Sequence, residues 1–409
     1  MNRNIKLAVA GAVLAMSASA AHAGIVIPAG DWTLDVNGNV NAYAIFGKAK
    51  GSGTITGATF AGHAMTKDAT GESNSVGINT GLLPAWLGFT GSTRQNDLDV
   101  GFTISMQPNV SDNSYSGDNK TPLFRQANLT FGDKSWGSIK LGKDIGIFAS
   151  NAILNDMTLL GVGGGSAVSG GSTTLGGIGT GYIYAGWKGQ MAYTTPNFNG
   201  FQATVGITNP QQGNASSGAT SATAALYQDR FGLEAQANYS FASDALNGKV
   251  WVGGSSYKAK HAFITATSTA LEHTATAADI GLNLNAGNAG VTAYYYSGDG
   301  IGTTMHMNAA TSASGKTRDS DGGYVQVTYK IPTGTKIGLA YGVSKLDLAS
   351  DETTTSTIVR ENERMTIGAY HPLTKHLNLV AEYNNVEARS HSGLKNESNT
   401  GSLGAILFF

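Results

Sequence analysis

A period of two runs through almost the whole chain. Between Trp32 and Val40, one phase holds Trp32, Leu34, Val36, Gly38 and Val40, and the other holds Thr33, Asp35, Asn37 and Asn39. Successive strand side chains point to opposite faces, so this is a strand with one apolar and one polar side. The stretch 97–107 repeats it, with Leu98, Val100, Phe102, Ile104 and Met106 against Asp97, Asp99, Thr103 and Ser105. In 231–241, Phe231, Leu233, Ala235, Ala237, Tyr239 and Phe241 oppose Glu234, Gln236, Asn238 and Ser240. Ala278, Ile280, Leu282 and Leu284 oppose Asp279, Asn283 and Asn285, and Leu377, Leu379, Ala381 and Tyr383 oppose Asn378, Glu382 and Asn384. About sixteen such segments follow residue 30, and stretches of helical period are nearly absent.

The first residues set the compartment. Arg3 and Lys6 precede a ten-residue apolar run, Leu7 to Met16, and Ala21-His22-Ala23 fits a small-x-small cleavage site. The reading is a secretory leader over 1–23 and a mature chain from Gly24, because ten residues are too few to span a bilayer as a helix. Removing Arg3 and Lys6 leaves 24 cations against 27 acids, a net charge of −3. No other stretch approaches 18 consecutive apolar residues, which excludes a helical membrane protein. With no cysteine there is no disulfide or thiolate chemistry, and the charge gives no reason to expect a nucleic-acid partner.

An exported, alternating chain is a soluble sandwich or solenoid, or a membrane barrel. Charged residues are 13% and glycines number 56 in 409, against roughly 25% and 7% in an ordinary soluble domain. A soluble sheet presents many Lys and Glu to water. Here Asn, Thr, Ser and Gly dominate the polar phase, which suits a water-filled interior. The apolar phase carries aromatics near strand ends: Phe102, Phe131, Tyr239, Phe241, Tyr295, Tyr329, Tyr341 and Tyr383. Aromatic girdles mark the two lipid–water interfaces. Short connections (288–290, 332–334, 372–375) alternate with long ones (47–76, 209–228, 259–276, 298–321, 347–361, 387–398). These features predict an all-β, sixteen-stranded antiparallel transmembrane barrel over 24–409, at about 24 residues per strand with its connection.

Several motifs resemble those of the Gram-negative porins. Leu34-Asp35-Val36-Asn37-Gly38 resembles their first strand, and Ala85-Trp86-Leu87-Gly88-Phe89-Thr90-Gly91 their Ala-Arg-Leu-Gly-Phe-Lys-Gly strand. Arg125-Gln126, followed by Gly137 to Gly142, resembles the segment entering the third external loop. Tyr193-Thr194-Thr195-Pro196-Asn197-Phe198-Asn199-Gly200-Phe201 resembles the element after it. Tyr370-His371-Pro372-Leu373-Thr374-Lys375 with Tyr383 resembles the late hairpin, and the terminal Phe409 the family's assembly signal. The resemblance covers the mature chain in order. It implies an outer-membrane homotrimer set in lipid and lipopolysaccharide, inserted by the barrel-assembly machinery. Small hydrophilic solutes would cross it passively, with no cofactor.

The resemblance also implies a third external loop folded into the barrel, here within about 144–185. Ile145 to Leu160 has room for a short helix, and Gly161 to Gly181 is rich in Gly, Ser and Thr. Asn155-Asp156-Met157 resembles the acidic tip of that loop, Arg125 a basic residue on the facing wall, and Lys143 a second one. The family's other constriction charges are matched by Trp86, Asn39, Thr194 and Leu160, so a weaker transverse field is expected. Lys140, Lys188 and Asp144 are candidate lumen charges. By phase, Arg125 falls with the apolar Ala127, Leu129 and Phe131. Either a bulge turns it inward or it sits on the outer face as a snorkelling side chain at a subunit contact.

Other chemistry carries less. Ala310 to Thr317 approaches a phosphate-binding loop but starts with Ala and has no strand–loop–helix frame. Asp319-Ser320-Asp321-Gly322 opens like a calcium loop but lacks the later ligands. His371 with His376, and Glu272-His273, lack zinc-protease geometry, and there is no Gly-x-Ser-x-Gly elbow. Against a general diffusion porin stand two alternatives: a substrate-preferring channel on the same scaffold, and an outer-membrane enzyme or adhesin barrel.

Overall fold

The computed structural model describes residues 24–51, 53–57, 73–108, 123–164, 173–209, 226–227, 229–261, 272–312 and 314–409. The leader expected over 1–23 lies outside them.

Sixteen strands form the wall, each pairing antiparallel with its neighbours in chain order. They begin with β1 (Trp32–Gly51), β2 (Trp86–Gln95), β3 (Leu98–Gln107) and β4 (Leu123–Asp133). Next come β5 (Gly137–Ile145), β6 (Trp187–Thr194), β7 (Phe201–Thr208) and β8 (Gly232–Ala242). β9 (Asn247–His261), β10 (Glu272–Ala286), β11 (Ala289–Asp299) and β12 (Asp319–Lys330) follow. The last are β13 (Lys336–Leu346), β14 (Val359–Pro372), β15 (Leu377–Ser390) and β16 (Lys395–Phe408). β16 then pairs with β1, from Asn396 opposite Gly51 to Phe408 opposite Asn39, and the ring closes. Closure leaves no open sheet edge for lipid to desolvate. The backbone of Phe409 exchanges two hydrogen bonds with Gly38, at 2.7 and 3.0 Å, and locks the seam. Three short strands add to the wall: Ile25–Ala29 against the start of β1, Ser73–Asn79 against its far half, and Leu226–Tyr227 against β9.

Strand chemistry follows the phases. Along β14, Met365 and Ile367 are exposed while Arg364, Thr366 and Tyr370 are buried. Phe46 is 58% exposed and Leu403 64%, whereas Asn39, Asn41 and Asn384 are at most 2% exposed. An outer face this apolar over a whole barrel is far beyond what a soluble monomer exposes. It matches the lipid-facing band of a membrane barrel. Tyr239, Tyr295, Tyr329, Tyr341 and Tyr383 lie on that face.

One rim carries tight turns. Asn96 and Asp97, joining β2 to β3, have φ of 48° and 62°, the pair of positive angles a two-residue hairpin matched to sheet twist requires. Between β10 and β11 the turn falls on Gly287 and Asn288, one residue ahead of the expected 288–290, because Ala289 and Gly290 already pair with Ala286 and Asn285. A larger correction concerns 387–398. β15 and β16 pair as far as Arg389 opposite Lys395, leaving only 391–394 as connection. Arg389 and Lys395 form ion pairs with Glu387, so two strands that are polar on their outward face hold together above the apolar band.

An arginine in place of Leu339 or Ile367, midway along outward phases, is expected to destabilise the folded barrel in bilayers by about 2–4 kcal/mol. Urea unfolding followed by tryptophan fluorescence checks this. A loss no larger than that of an outward substitution at the rim would contradict lipid exposure of that face.

Candidate functional site

Between β5 and β6 the chain leaves the wall, and 146–164 and 173–186 are described there. Ser150–Leu154 forms one turn of α-helix (α1), and Met157–Leu160 a 3₁₀ turn capped by Asp156, whose carboxylate accepts from the Thr158 amide at 2.9 Å. The helix sits inside the expected Ile145–Leu160 stretch. The segment bonds to inward-phase side chains of many strands, which places it within the ring.

At its root, Glu234 of β8 accepts from the amides of Ile147 (2.6 Å) and Phe148 (3.1 Å). Asp279 of β10 accepts from the Ala149 amide at 3.2 Å, and Lys249 of β9 donates to Asn151 Oδ1 at 2.6 Å. In the middle, Tyr324 of β12 donates to the Ala152 carbonyl at 2.8 Å. Gln326 clamps Asn155 and Met157, donating to the first carbonyl (2.7 Å) and accepting from the second amide (2.9 Å). Further on, Tyr43 of β1 donates to the Leu160 carbonyl at 2.6 Å. Glu382 of β15 accepts from the amides of Val162 (2.8 Å) and Gly163 (2.7 Å). The wall itself opens at 80–85, between Ser73–Asn79 and β2, where the Leu82 amide donates to the Gly161 carbonyl at 2.8 Å.

Two glycines of this segment are packing residues. A Cβ on Gly161 would lie 2.1 Å from Glu382 Oε1, and one on Gly177 2.6 Å from both Arg364 and Asp156. Around them a buried cluster of Leu82, Ala152, Ile153, Ile178, Tyr182 and Ile183 packs on wall aromatics including Trp251, Tyr257, Tyr294 and Tyr324.

Asp156 is 4% exposed. Its carboxylate accepts from Tyr182 (2.8 Å) and the Gly177 amide (3.1 Å), and lies 3.5 Å from Arg364 of β14. Burial pushes the Tyr182 hydroxyl well above its ordinary pKa, so it donates as a neutral phenol. Asp156 is therefore an anchor inside the loop, and its basic partner is Arg364 rather than Arg125. Breaking such a buried pair on one side costs about 3–5 kcal/mol.

Lys188, 4% exposed, pairs with Glu234 at 2.6 Å and donates to the Tyr257 hydroxyl at 3.1 Å. It steadies the carboxylate that holds the loop root. Lys140 and Asp144 face inward on β5, with Nζ to Oδ2 at 2.5 Å, and Gln126 donates to Asp144 at 3.1 Å. Lys143 alternates with these. It is exposed on the outer side with Leu141, and its Nζ donates to the Phe124 carbonyl at 2.9 Å. The period-two rule that turns Asp144 inward turns Lys143 outward. At Arg125 the register slips, with Ser105 opposite Gln126 but Met106 opposite Phe124. The bulge removes Arg125 from the pairing, and its guanidinium lies over the Trp187 ring, 5.9 Å from the centroid, beside the loop root.

A second connection, 300–318, leans on the first. The Tyr184 amide donates to the Thr304 carbonyl at 2.9 Å, and His306 stacks on Phe148 with centroids 5.4 Å apart. Burial, reinforced by nearby Lys188, lowers the His306 pKa to about 3, so the ring is neutral at ordinary pH. Asp319–Gly322 opens β12 and is extended strand.

Sequence reasoning placed Glu234, Asp279 and Glu382 in the polar phase without assigning them a role, and it passed over Lys249, Gln326, Lys336 and Arg364. Phase was the available signal. The loop amides that Glu234, Asp279 and Glu382 accept from lie 86 to 220 residues away in the chain.

A sequence profile described as Gram-negative porin matches residues 9–391. No curated protein sequence matches the chain. Among solved structures it is similar to the outer-membrane channel DcaP of Acinetobacter baumannii, with 16% identity, a TM-score of 0.65, and 93% of this chain and 99% of that one covered. It is also similar to an anion-selective porin from Comamonas acidovorans, with 14% identity, a TM-score of 0.58, and coverage of 92% and 100%. A third is the outer-membrane protein OmpT of Vibrio cholerae in its trimer form, with 14% identity, a TM-score of 0.54, and coverage of 92% and 99%. These likenesses establish the fold, and family and fold together are those of a channel rather than an enzyme. With the profile spanning nearly the whole chain, the protein belongs to the Gram-negative porins, outer-membrane channels for passive diffusion of small solutes.

Proposed function

We propose that the chain is a general-diffusion porin, assembled as a homotrimer, in which the fixed segment after β5, held at residues 147–163, limits the size of solute that passes. The observation that carries this reading is the hydrogen bonding of one loop by Tyr43, Glu234, Asp279, Gln326 and Glu382, from strands around the ring. A loop held from so many sides is a fixed constriction rather than a moving lid. Away from it, the inward phase presents groups such as Asn128, Thr130, Ser138, Gln202 and Thr204. These offer hydrogen bonds to any hydrated solute, which favours general diffusion over a dedicated site.

In this reading Asp156 and Lys188 set the constriction's shape through Arg364 and Glu234. Lys140 with Asp144 forms a small dipole on the wall, and Arg125 stiffens the loop root. Lys143 takes no part in passage. An outward lysine on β5 is costly against acyl chains, so it supports a subunit contact on that face, as does the trimer form of the Vibrio relative. Lipid and lipopolysaccharide cover the remaining outer face, and Phe409 is the residue the assembly machinery reads.

Purified protein in a planar bilayer is expected to give large ohmic steps that close in three levels. Saturable block by one solute class would mark a substrate-preferring channel instead, and folded protein without conductance would contradict the porin reading. Arg364→Ala or Asp156→Asn is expected to loosen the loop and raise single-channel conductance by roughly 1.5-fold or more. Unchanged conductance in both would remove this pair from the constriction.

A further inference from the structure

We propose that the lumen passes small anions more readily than cations of the same size, and that Lys249 and Lys336 set this preference. The proposal rests on the diffusion-channel reading and adds the sign of its selectivity.

The wall and loop carry seven inward-phase carboxylates among the described residues; Asp99 pairs with Arg94 at 2.8 Å, Asp35 lies on the first half of β1, and the five at the loop and its root are each engaged by it or by a neighbouring cation. Asp144 has Lys140 and Gln126, Asp156 has Arg364 and Tyr182, and Glu234 has Lys188 and two loop amides. Asp279 accepts from the Ala149 amide and from Tyr294 at 3.1 Å. Glu382 accepts from two loop amides and from Tyr370 at 2.7 Å. None of these five is more than 7% exposed. A carboxylate ringed by N–H and O–H donors presents little uncompensated field to a passing ion, and its burial keeps that ion at a distance.

Two lysines are placed differently. Lys249 Nζ donates to the neutral Asn151 amide oxygen and lies 5.5 Å from the Trp251 ring centroid. Lys336 Nζ lies 5.4 Å from the Tyr370 ring centroid. Neither has a carboxylate within ion-pair distance among the described residues, and both are partly open rather than buried. Lys249 is the third residue of β9 and Lys336 the first of β13. Both therefore sit at the short-turn end of the lumen, four strands apart in a ring of sixteen, a quarter of the circumference. A solute leaving the constriction on that side meets two ammonium groups against a low-dielectric wall; of the inward acids toward that end, Asp99 is paired with Arg94, and Asp35 stands on β1, eight strands from Lys249 and four from Lys336. Turn carboxylates such as Asp97 and Asp244 stand at the rim in bulk water, where salt screens them. Charged side chains around a narrow pore bias it toward the opposite ion.

The test is the zero-current potential of single channels under a tenfold potassium chloride gradient. Wild-type protein is expected to show a chloride-over-potassium permeability ratio of roughly two to five. Lys249→Gln/Lys336→Gln is expected to bring it close to one, and Lys249→Arg/Lys336→Arg to keep it. The heat-modifiable gel shift reports that each variant is folded. Potassium preference in the wild type, or an unchanged ratio in the folded double Gln variant, overturns the proposal. Folded protein that never conducts overturns the channel reading itself, and the two failures are told apart by whether any current is seen.

Discussion

Inside a closed barrel nearly every wall strand has its backbone hydrogen bonds committed to its neighbours. A segment that crosses the lumen therefore has mainly side chains to bond to, and its own amides and carbonyls cannot be left dry. This constraint organises the protein. Glu234, Asp279 and Glu382 act as acceptors for loop amides, and Tyr43, Tyr324 and Gln326 as donors to loop carbonyls. The exception fits the same logic: at 80–85 the wall is broken, and there backbone meets backbone between Leu82 and Gly161.

The consequence for function is a division of labour among charges. An acid in a lumen can attract cations or can hold a loop, and one bonded to two amides at 2.7–2.8 Å, as Glu382 is, has been given to the second task. The basic partners divide likewise, Arg364 and Lys188 being drawn into buried pairs while Lys249 and Lys336 remain at the edge of the water. Two glycines after Leu160 belong to this design. Gly161 and Gly177 let the loop backbone approach Glu382, Arg364 and Asp156 more closely than any side chain would permit.

Alternation made the barrel legible, because a period of two assigns each side chain to lipid or lumen without knowledge of its partner. Glu234, Asp279 and Glu382 fall in the polar phase on that basis alone. What they bond to was not legible, since the Val162 amide lies 220 residues from Glu382 and no local pattern encodes the contact. Phase also settles Lys143, which similarity to constriction residues had placed in the pore. For Arg125 phase does not decide, because a single extra residue at the bulge breaks the count. The hairpin at 391–394 was hidden for another reason. Strands that rise out of the apolar band become polar on their outward face and lose the lipid-facing signal, and charge pairs such as Arg389 and Lys395 with Glu387 support the ladder there.

The central claim, that wall carboxylates hold the loop by its amides, is tested most directly by hydrogen–deuterium exchange of the folded barrel, comparing the wild type with Glu382→Ala. The account predicts that the amides of Val162 and Gly163 lose protection in the variant while those of β14, β15 and β16 keep theirs. Protection of the two loop amides that is the same with and without the Glu382 carboxylate would contradict it.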